Sequence, residues 1–186
     1  EPRLGGLLPL AALLKDLEVD DIMDLIDYFK VQFRKLGVKV RTGQEVTPAL
    51  VNELEPDVVI FAGGGKHYVP GIPGINSPKV VTSGTLHRQL KFFLRFFSPR
   101  SLAKLTRMYM PVGKRVIIIG AKIQGCEVAE FLIKRGRQVT MVDFEEKFGE
   151  GMTGDDLFLL KPWLEKKGVK IYLGVKYNQI SGGMLN

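Results

Sequence analysis

The sequence predicts an α/β fold in which short parallel strands alternate with helices in three layers. Three observations carry that prediction. Two apolar runs, Val58-Val59-Ile60-Phe61 and Val116-Ile117-Ile118-Ile119, each end in a glycine turn, as a buried parallel strand does when it hands over to a helix. Apolar residues at three- and four-residue spacing form helical stripes around these runs. The α/β pattern recurs on either side of a basic segment, so the chain holds two such units.

The first helical stripe is Ile22, Leu25, Ile26, Phe29, Phe33 and Leu36. Asp20, Asp21 and Asp24 at its start and Arg34 and Lys35 at its end match the helix dipole, and Gly37 stops it. A short strand over 38–40 is expected next. Thr47-Pro48 then supplies an N-cap and a first-turn proline for a brief helix ending at Leu54. The run 58–61 enters Ala62-Gly63-Gly64-Gly65 as a buried strand. Pro70, Gly71, Pro73 and Gly74 mark a crossing segment, with room for a further short strand over 79–81.

Leu86, Leu90, Phe93, Leu94 and Phe97 share a helix face that Ser98-Pro99 breaks, and Leu102, Leu105 and Met108 continue on a second short helix. The second unit is a strand over 115–119, a helix over 123–135 stopped by Gly136, and a strand over 139–142. A helix over 155–167 ends at Gly168 and leads to a strand over 169–173. The tail, 175–186, reads as the start of a hairpin that is not completed. Trp163 and the phenylalanines are read as core.

Composition narrows the class. With 186 residues, 45% apolar and 25% charged, the chain can bury a stable core and is not a disordered sequence. No apolar run approaches a membrane span, and Glu1-Pro2-Arg3 does not open a secretory signal, so the expected compartment is the cytoplasm. A lone cysteine, Cys126, excludes a disulfide framework and a multi-cysteine iron–sulfur or zinc site within the chain. The formal charge of +7 is local: no acid falls between Asp57 and Glu127, a stretch that holds eleven of the 27 Lys and Arg, from Lys66 to Lys122. It points to one basic surface.

The second unit carries the chemistry. An apolar strand, a glycine turn and a helix N-terminus make a phosphate site, because the first helical N–H groups and the dipole face an anion. Gly120 permits the turn and Gly125 lets the helix pack on the sheet. Asp143, 23 positions after Gly120, can accept both ribose hydroxyls of NAD and repel the 2′-phosphate of NADP. This is a Rossmann-type dinucleotide pattern with its strand and helix context in place. The middle glycine is replaced: the turn reads Gly120-Ala121-Lys122-Ile123-Gln124-Gly125. Two outcomes stand open, a site in which the lysine charge compensates and a fold that keeps the turn but has lost tight NAD binding.

Leu4-Gly5-Gly6, Gly37-Val38-Lys39-Val40, Glu45-Val46-Thr47-Pro48, Asp57 through Gly64 and Ile72-Pro73-Gly74 resemble the FAD domain of two-dinucleotide flavoprotein reductases. Met110-Pro111-Val112-Gly113-Lys114-Arg115, Gly125-Cys126-Glu127 and Phe131 through Gly136 are similar to the enoate-reductase-like branch. The chain thus resembles the C-terminal half of the 2,4-dienoyl-CoA reductase, 2-enoate reductase and trimethylamine dehydrogenase-like NADH:flavin oxidoreductases. The resemblance implies Rossmann-like three-layer parallel sheet units: a partial FAD domain over 1–82, a basic helical connector over 83–110 and an NAD-binding domain over 111–186. It implies that Leu4, Gly5, Gly6 and Val46 line the FAD adenosine and pyrophosphate, and that Ala62, Gly63 and Gly64 pass close to the flavin nucleotide, Gly63 standing for the family's usual threonine. Gly120, Lys122, Gly125 and Asp143 would surround NAD(H), with Glu127 facing the nicotinamide. The family's first FAD-binding βαβ and its FMN and 4Fe-4S barrel have no counterpart in these residues. The implied reading is a fragment that passes hydride from NADH to FAD and feeds that barrel.

Hydride passes directly between cofactors, so no catalytic acid–base pair and no metal site are expected. Glu145-Glu146 and Asp155-Asp156 read as solvated loop and helix-start charges, His67 and His87 as isolated, and Cys126 as packing. A rival reading is a non-catalytic docking or structural module with a degenerate nucleotide site. A third takes the basic, phenylalanine-rich insert as a surface for an anionic membrane or acidic partner, against a connector packed on the barrel or a twin subunit, which is preferred. No nucleic-acid fold accompanies the charge.

Overall fold

The structure, a computed structural model, describes residues 3–15, 19–65, 68–110 and 112–186. Glu1, Pro2, Lys66, His67 and Pro111, named above, lie outside the described residues. In chain order come helices α1 (Leu8–Lys15), α2 (Val19–Lys35), α3 (Pro48–Leu54), α4 (Ser83–Phe93) and α5 (Pro99–Met108). Then follow β1 (Arg115–Ile119), α6 (Ile123–Ile133), β2 (Gln138–Val142), α7 (Gly154–Lys166) and β3 (Lys170–Tyr172). The chain ends in β4 (Ile180–Ser181) and β5 (Met184–Leu185).

Strands β1, β2 and β3 form a parallel sheet in that order, with Arg115 opposite Gln138 through Ile119 opposite Val142, and Thr140 opposite Lys170. Helix α6 packs against both β1 and β2. A side chain at position 125 would drive its Cβ into the Gly120 carbonyl oxygen, so this close approach of helix to strand requires glycine.

The least expected element is α1. Its residues are apolar on nearly every side, and Leu10, Ala12, Leu13 and Leu14 are buried, as in a helix enclosed by others. It packs against α2, α4, α5 and α6, and Leu10 and Leu13 share one core with Leu90, Leu102, Phe131, Met141 and Leu164. The basic insert is thus tied to the nucleotide unit through α1. At that seam Arg135 is buried; its guanidinium lies 3.5 Å from the Phe131 ring centroid, Nε donates to Thr106 Oγ1 at 2.9 Å and Nη1 to the Phe131 carbonyl at 3.0 Å. These contacts bind the end of α6 to α5 by cation–π attraction and charge-assisted hydrogen bonds.

The cap expected at Thr47 forms, and three further helices are capped in the same way. Thr47, Thr82, Ser98 and Thr153 each accept from a backbone N–H in the first turn of the helix they precede. The strands expected over 38–40, 58–61 and 79–81 do not form. Ile60 is 87% and Phe61 90% exposed, because no described strand pairs with this run and no helix covers it. On α5 the buried side is Leu102, Ala103 and Thr106, whereas Leu105 and Met108 face outward; the packing of α1 turns the helix away from the expected stripe. Of the α2 stripe only Ile26 is buried. Phe131 and Phe148 are core, but Phe29, Phe61, Phe92, Phe93, Phe96, Phe97, Phe144 and Phe158 are exposed, a correction to the reading of all phenylalanines as core. The hairpin is complete: β4 and β5 pair across Gly182-Gly183, whose φ values of 61° and 84° suit a two-residue turn matched to strand twist.

Candidate nucleotide site

The turn between β1 and α6 is built from backbone constraints. Gly120 sits at φ 113°, closed to most side chains, and its N–H donates to the Val142 carbonyl at 2.8 Å. Lys122 is the residue before α6, in extended conformation, and its side chain does not cap the helix. Asp143 ends the neighbouring strand and is 2% exposed. One carboxylate oxygen accepts from the Ala121 N–H at 2.6 Å and the other from the Glu145 N–H at 3.1 Å. The carboxylate thereby fastens the turn to the end of β2, and about half of its acceptor capacity is used by the protein.

The loop after Asp143 folds over the helix start. Gly149 N–H donates to the Ala121 carbonyl at 2.7 Å, and Ile123 N–H, at the first position of α6, donates to the Glu150 carbonyl at 3.0 Å. The Lys122 ammonium pairs with the Glu150 carboxylate and lies 3.5 Å from Glu145. Neither carboxylate is marked as a site residue by the sequence: Glu145 reads as a solvated loop charge, and Glu150 belongs to no motif. Nothing local marks Glu150, since its partner is 28 positions away in sequence. The hydrogen bond to Glu150 raises the Lys122 pKa, and the same bond holds Glu150 below the ordinary carboxylate range. Both groups are therefore charged around neutral pH.

Glu127 lies one turn further along α6, half-buried; desolvation raises its pKa, while nearby Lys15 pulls it down. Cys126 is fully buried, its thiol pushed up to about 12 by burial, with Sγ 3.4 Å from the Ala121 carbonyl. It is a packing thiol with no nucleophilic character at neutral pH. Asp155 and Asp156 are helix-start charges as expected, Asp156 accepting from the Thr153 hydroxyl at 2.8 Å.

Gly120, Lys122, Gly125 and Asp143 thus meet in one place. The residues of the flavin set do not. Leu4 and Gly6 border a cleft against α2 and the α4–α5 elbow, and Gly5, at φ 109°, stands where a side chain would run into Ile26. Val46, Ala62, Gly63 and Gly64 are exposed elsewhere and do not line that cleft.

A parallel sheet with a glycine turn, a helix N-terminus and an acid closing the next strand defines the class: a dinucleotide-fold α/β protein. A residue pattern of the pyridine nucleotide-disulphide oxidoreductase family matches residues 29–184, and the chain belongs to that family. It is 25% identical over 181 residues to bilirubin reductase of Mediterraneibacter gnavus, covering 97% of this chain and 25% of that protein. It is 24% identical over 154 residues to an NADH oxidase of Thermoanaerobacter brockii, covering 83% of this chain and 21% of that protein. The fold matches a 2-naphthoyl-CoA reductase solved in complex with 2-naphthoyl-CoA, at TM-score 0.69 and 22% identity over 97% of this chain and 24% of that one. The chain therefore spans about a quarter of the length of these relatives. Among the described residues no helix is long and apolar enough to cross a membrane.

The residues fit a dinucleotide at three points: the left-handed Gly120, the contact that only glycine allows at 125, and the acid at the end of β2. Three features depart from it: Lys122 stands at the middle-glycine position, the Asp143 carboxylate is buried against the Ala121 and Glu145 N–H groups, and the Ile123 N–H is already bonded to the Glu150 carbonyl.

Proposed function

We propose that the chain is the NADH-side module of a larger flavin-dependent oxidoreductase of the 2,4-dienoyl-CoA reductase and enoate-reductase type. In this reading residues 1–82 contribute to an FAD domain, 83–110 connect, and 111–186 bind NAD(H). A bound nicotinamide would supply hydride chemistry at this site, and the FMN and iron–sulfur barrel of the same enzyme would be the partner that the module serves. The chain's own work is positioning. The α6 N-terminus and Lys122 hold the pyrophosphate, Asp143 takes the ribose hydroxyls, and Glu127 lies along the helix toward the nicotinamide. Leu4, Gly5, Gly6, Val46, Ala62, Gly63 and Gly64 serve the FAD side. The parent enzyme works in the cytoplasm.

The observation that carries this reading is the closed unit of Gly120, Gly125 and Asp143, supported by family membership across residues 29–184. The Asp143 carboxylate is buried and the Ile123 N–H is already bonded, so the reading requires the loop over 144–150 to shift when nucleotide enters. A second reading is favoured by one observation, the pairing of Lys122 with Glu150 beside the turn: a nucleotide-fold module that docks and does not turn over. Anaerobic addition of NADH to the flavin-loaded parent enzyme separates them. Bleaching of the flavin's visible band, slowed at least tenfold by Asp143→Ala, supports the redox module. A flavin that stays oxidised with NADH in excess rules it out.

A further inference from the structure

The outer face of the basic insert joins aromatic rings to cations. On α4, Leu90 is buried and Leu86 and Leu94 pack against the core, so the connector role uses that side. The other side carries Arg88, Phe92, Arg95 and Phe96, all exposed, at the four- and three-residue steps that share a helix face. The Phe96 and Phe97 N–H groups both donate to the Phe93 carbonyl at 3.0 Å, which carries this face one turn beyond α4. Phe92 meets Phe93 and Phe96 edge to face, with ring centroids 5.7 and 5.5 Å apart, and Phe96 is 70% exposed. Phe93 and Phe97 are exposed as well.

An exposed cluster of rings marks a contact surface, and its charge says of what kind. No acidic residue falls between Asp57 and Glu127, so none interrupts α4, the turn after it or α5. Arg88, Arg95 and Lys104 are exposed and make no ion pair among the described residues, while Arg100, also exposed, pairs with Asp20. The exposed aromatics of α2 differ, since Tyr28 and Phe29 follow Asp24 and Asp27. The face on α4 is therefore complementary to an anionic partner. A bilayer containing anionic lipid supplies both halves at once: acyl chains receive the rings and headgroup phosphates the guanidiniums. An acidic protein surface supplies the charge alone, unless it also holds a groove cut for the rings.

We propose that the outer face of α4 and the turn after it dock on an anionic lipid bilayer. Phe92 and Phe96 enter the boundary between headgroups and acyl chains, and Arg88 and Arg95 lie on the lipid phosphates. The contact is peripheral and does not depend on nucleotide binding at the Gly120 turn. Co-sedimentation of the full chain tests it with two sets of vesicles, phosphatidylcholine alone and phosphatidylcholine with about one-third phosphatidylserine. Binding to the anionic vesicles is expected, with little to the neutral ones and a steep fall as salt screens the charge.

The double variant Arg88→Glu, Arg95→Glu should bind at least about tenfold more weakly, since each cation near the surface contributes about a factor of five. Phe92→Ser with Phe96→Ser keeps every charge and should also bind about fivefold more weakly or worse, because the rings no longer leave water. All four positions are exposed, and thermal unfolding checks that both variants fold as the parent does. Equal binding to neutral and anionic vesicles overturns the proposal, as does no binding to either. A loss with the arginine variant but none with the phenylalanine variant also overturns it, and points to an acidic protein partner instead. So does binding by the chain that is absent in the full-length flavoenzyme that contains it, where another domain covers the face. An NADH titration of the same samples separates this result from the nucleotide reading, because neither pair of substitutions lies within residues 115–143.

Discussion

Residues 58–61 and 116–119 make an instructive pair. Val58-Val59-Ile60-Phe61 and Val116-Ile117-Ile118-Ile119 have the same apolar character and both run into glycine. The second is a strand with β2 in register beside it and α6 on its face. The first is unpaired, with Phe61 90% exposed. An apolar run becomes a parallel strand only when neighbouring strands satisfy its backbone groups and a helix removes its side chains from water. Local sequence encodes the capacity; partners decide the outcome.

Substitutions in the packed unit and in the exposed run test that contrast. The largest effect is expected from Phe131→Ala, which empties a fully buried site and removes the ring beneath Arg135. A loss of about 3–5 kcal/mol is expected from urea unfolding. Next comes Gly125→Ala, whose Cβ meets the Gly120 carbonyl oxygen; a loss of about 2–3 kcal/mol is expected, with weakened amide protection along β1 in hydrogen exchange. Asp143→Ala leaves the buried Ala121 N–H without its acceptor and should cost about 1–3 kcal/mol, measured the same way.

A smaller effect follows from the Lys122–Glu150 pair. Because folding depresses the Glu150 pKa, the pair's contribution is present above the ordinary carboxylate value and is lost as pH falls through the depressed one. Glu150→Gln should therefore melt slightly below the parent at neutral pH and converge with it once pH falls below the ordinary carboxylate range, so that its acid limb in thermal melts is flatter. Smallest of all is Phe61→Ser, expected to stay within about 0.5 kcal/mol of the parent. A large loss there would mean that the run is covered after all.

Much of the C-terminal architecture was legible in the sequence because its signals are local. Thr47 caps α3 as its position before Pro48 suggests, Gly136 and Gly168 stop helices at positive φ, and the spacing of Gly120, Gly125 and Asp143 brings them together. What was not legible depends on distant partners. Helix α1 hides in an apolar stretch interrupted by Pro9, which is tolerated in a first turn, and its centrality follows only from four helices closing on it. Glu150 reaches Lys122 through the fold of the intervening loop, which no periodicity reports. The outward turn of Leu105 and Met108 is likewise set by packing, not by their spacing.

The measurement closest to the central claim is a titration of NADH against the chain, its Asp143→Ala variant and its Glu150→Gln variant, at low and physiological salt. If the unit over 115–143 is a working nucleotide site with Lys122 as its phosphate cation, the parent saturates, Asp143→Ala binds about tenfold more weakly, and Glu150→Gln binds more tightly because Lys122 is released. No saturation in any of the three, or equal affinity in all, would contradict it.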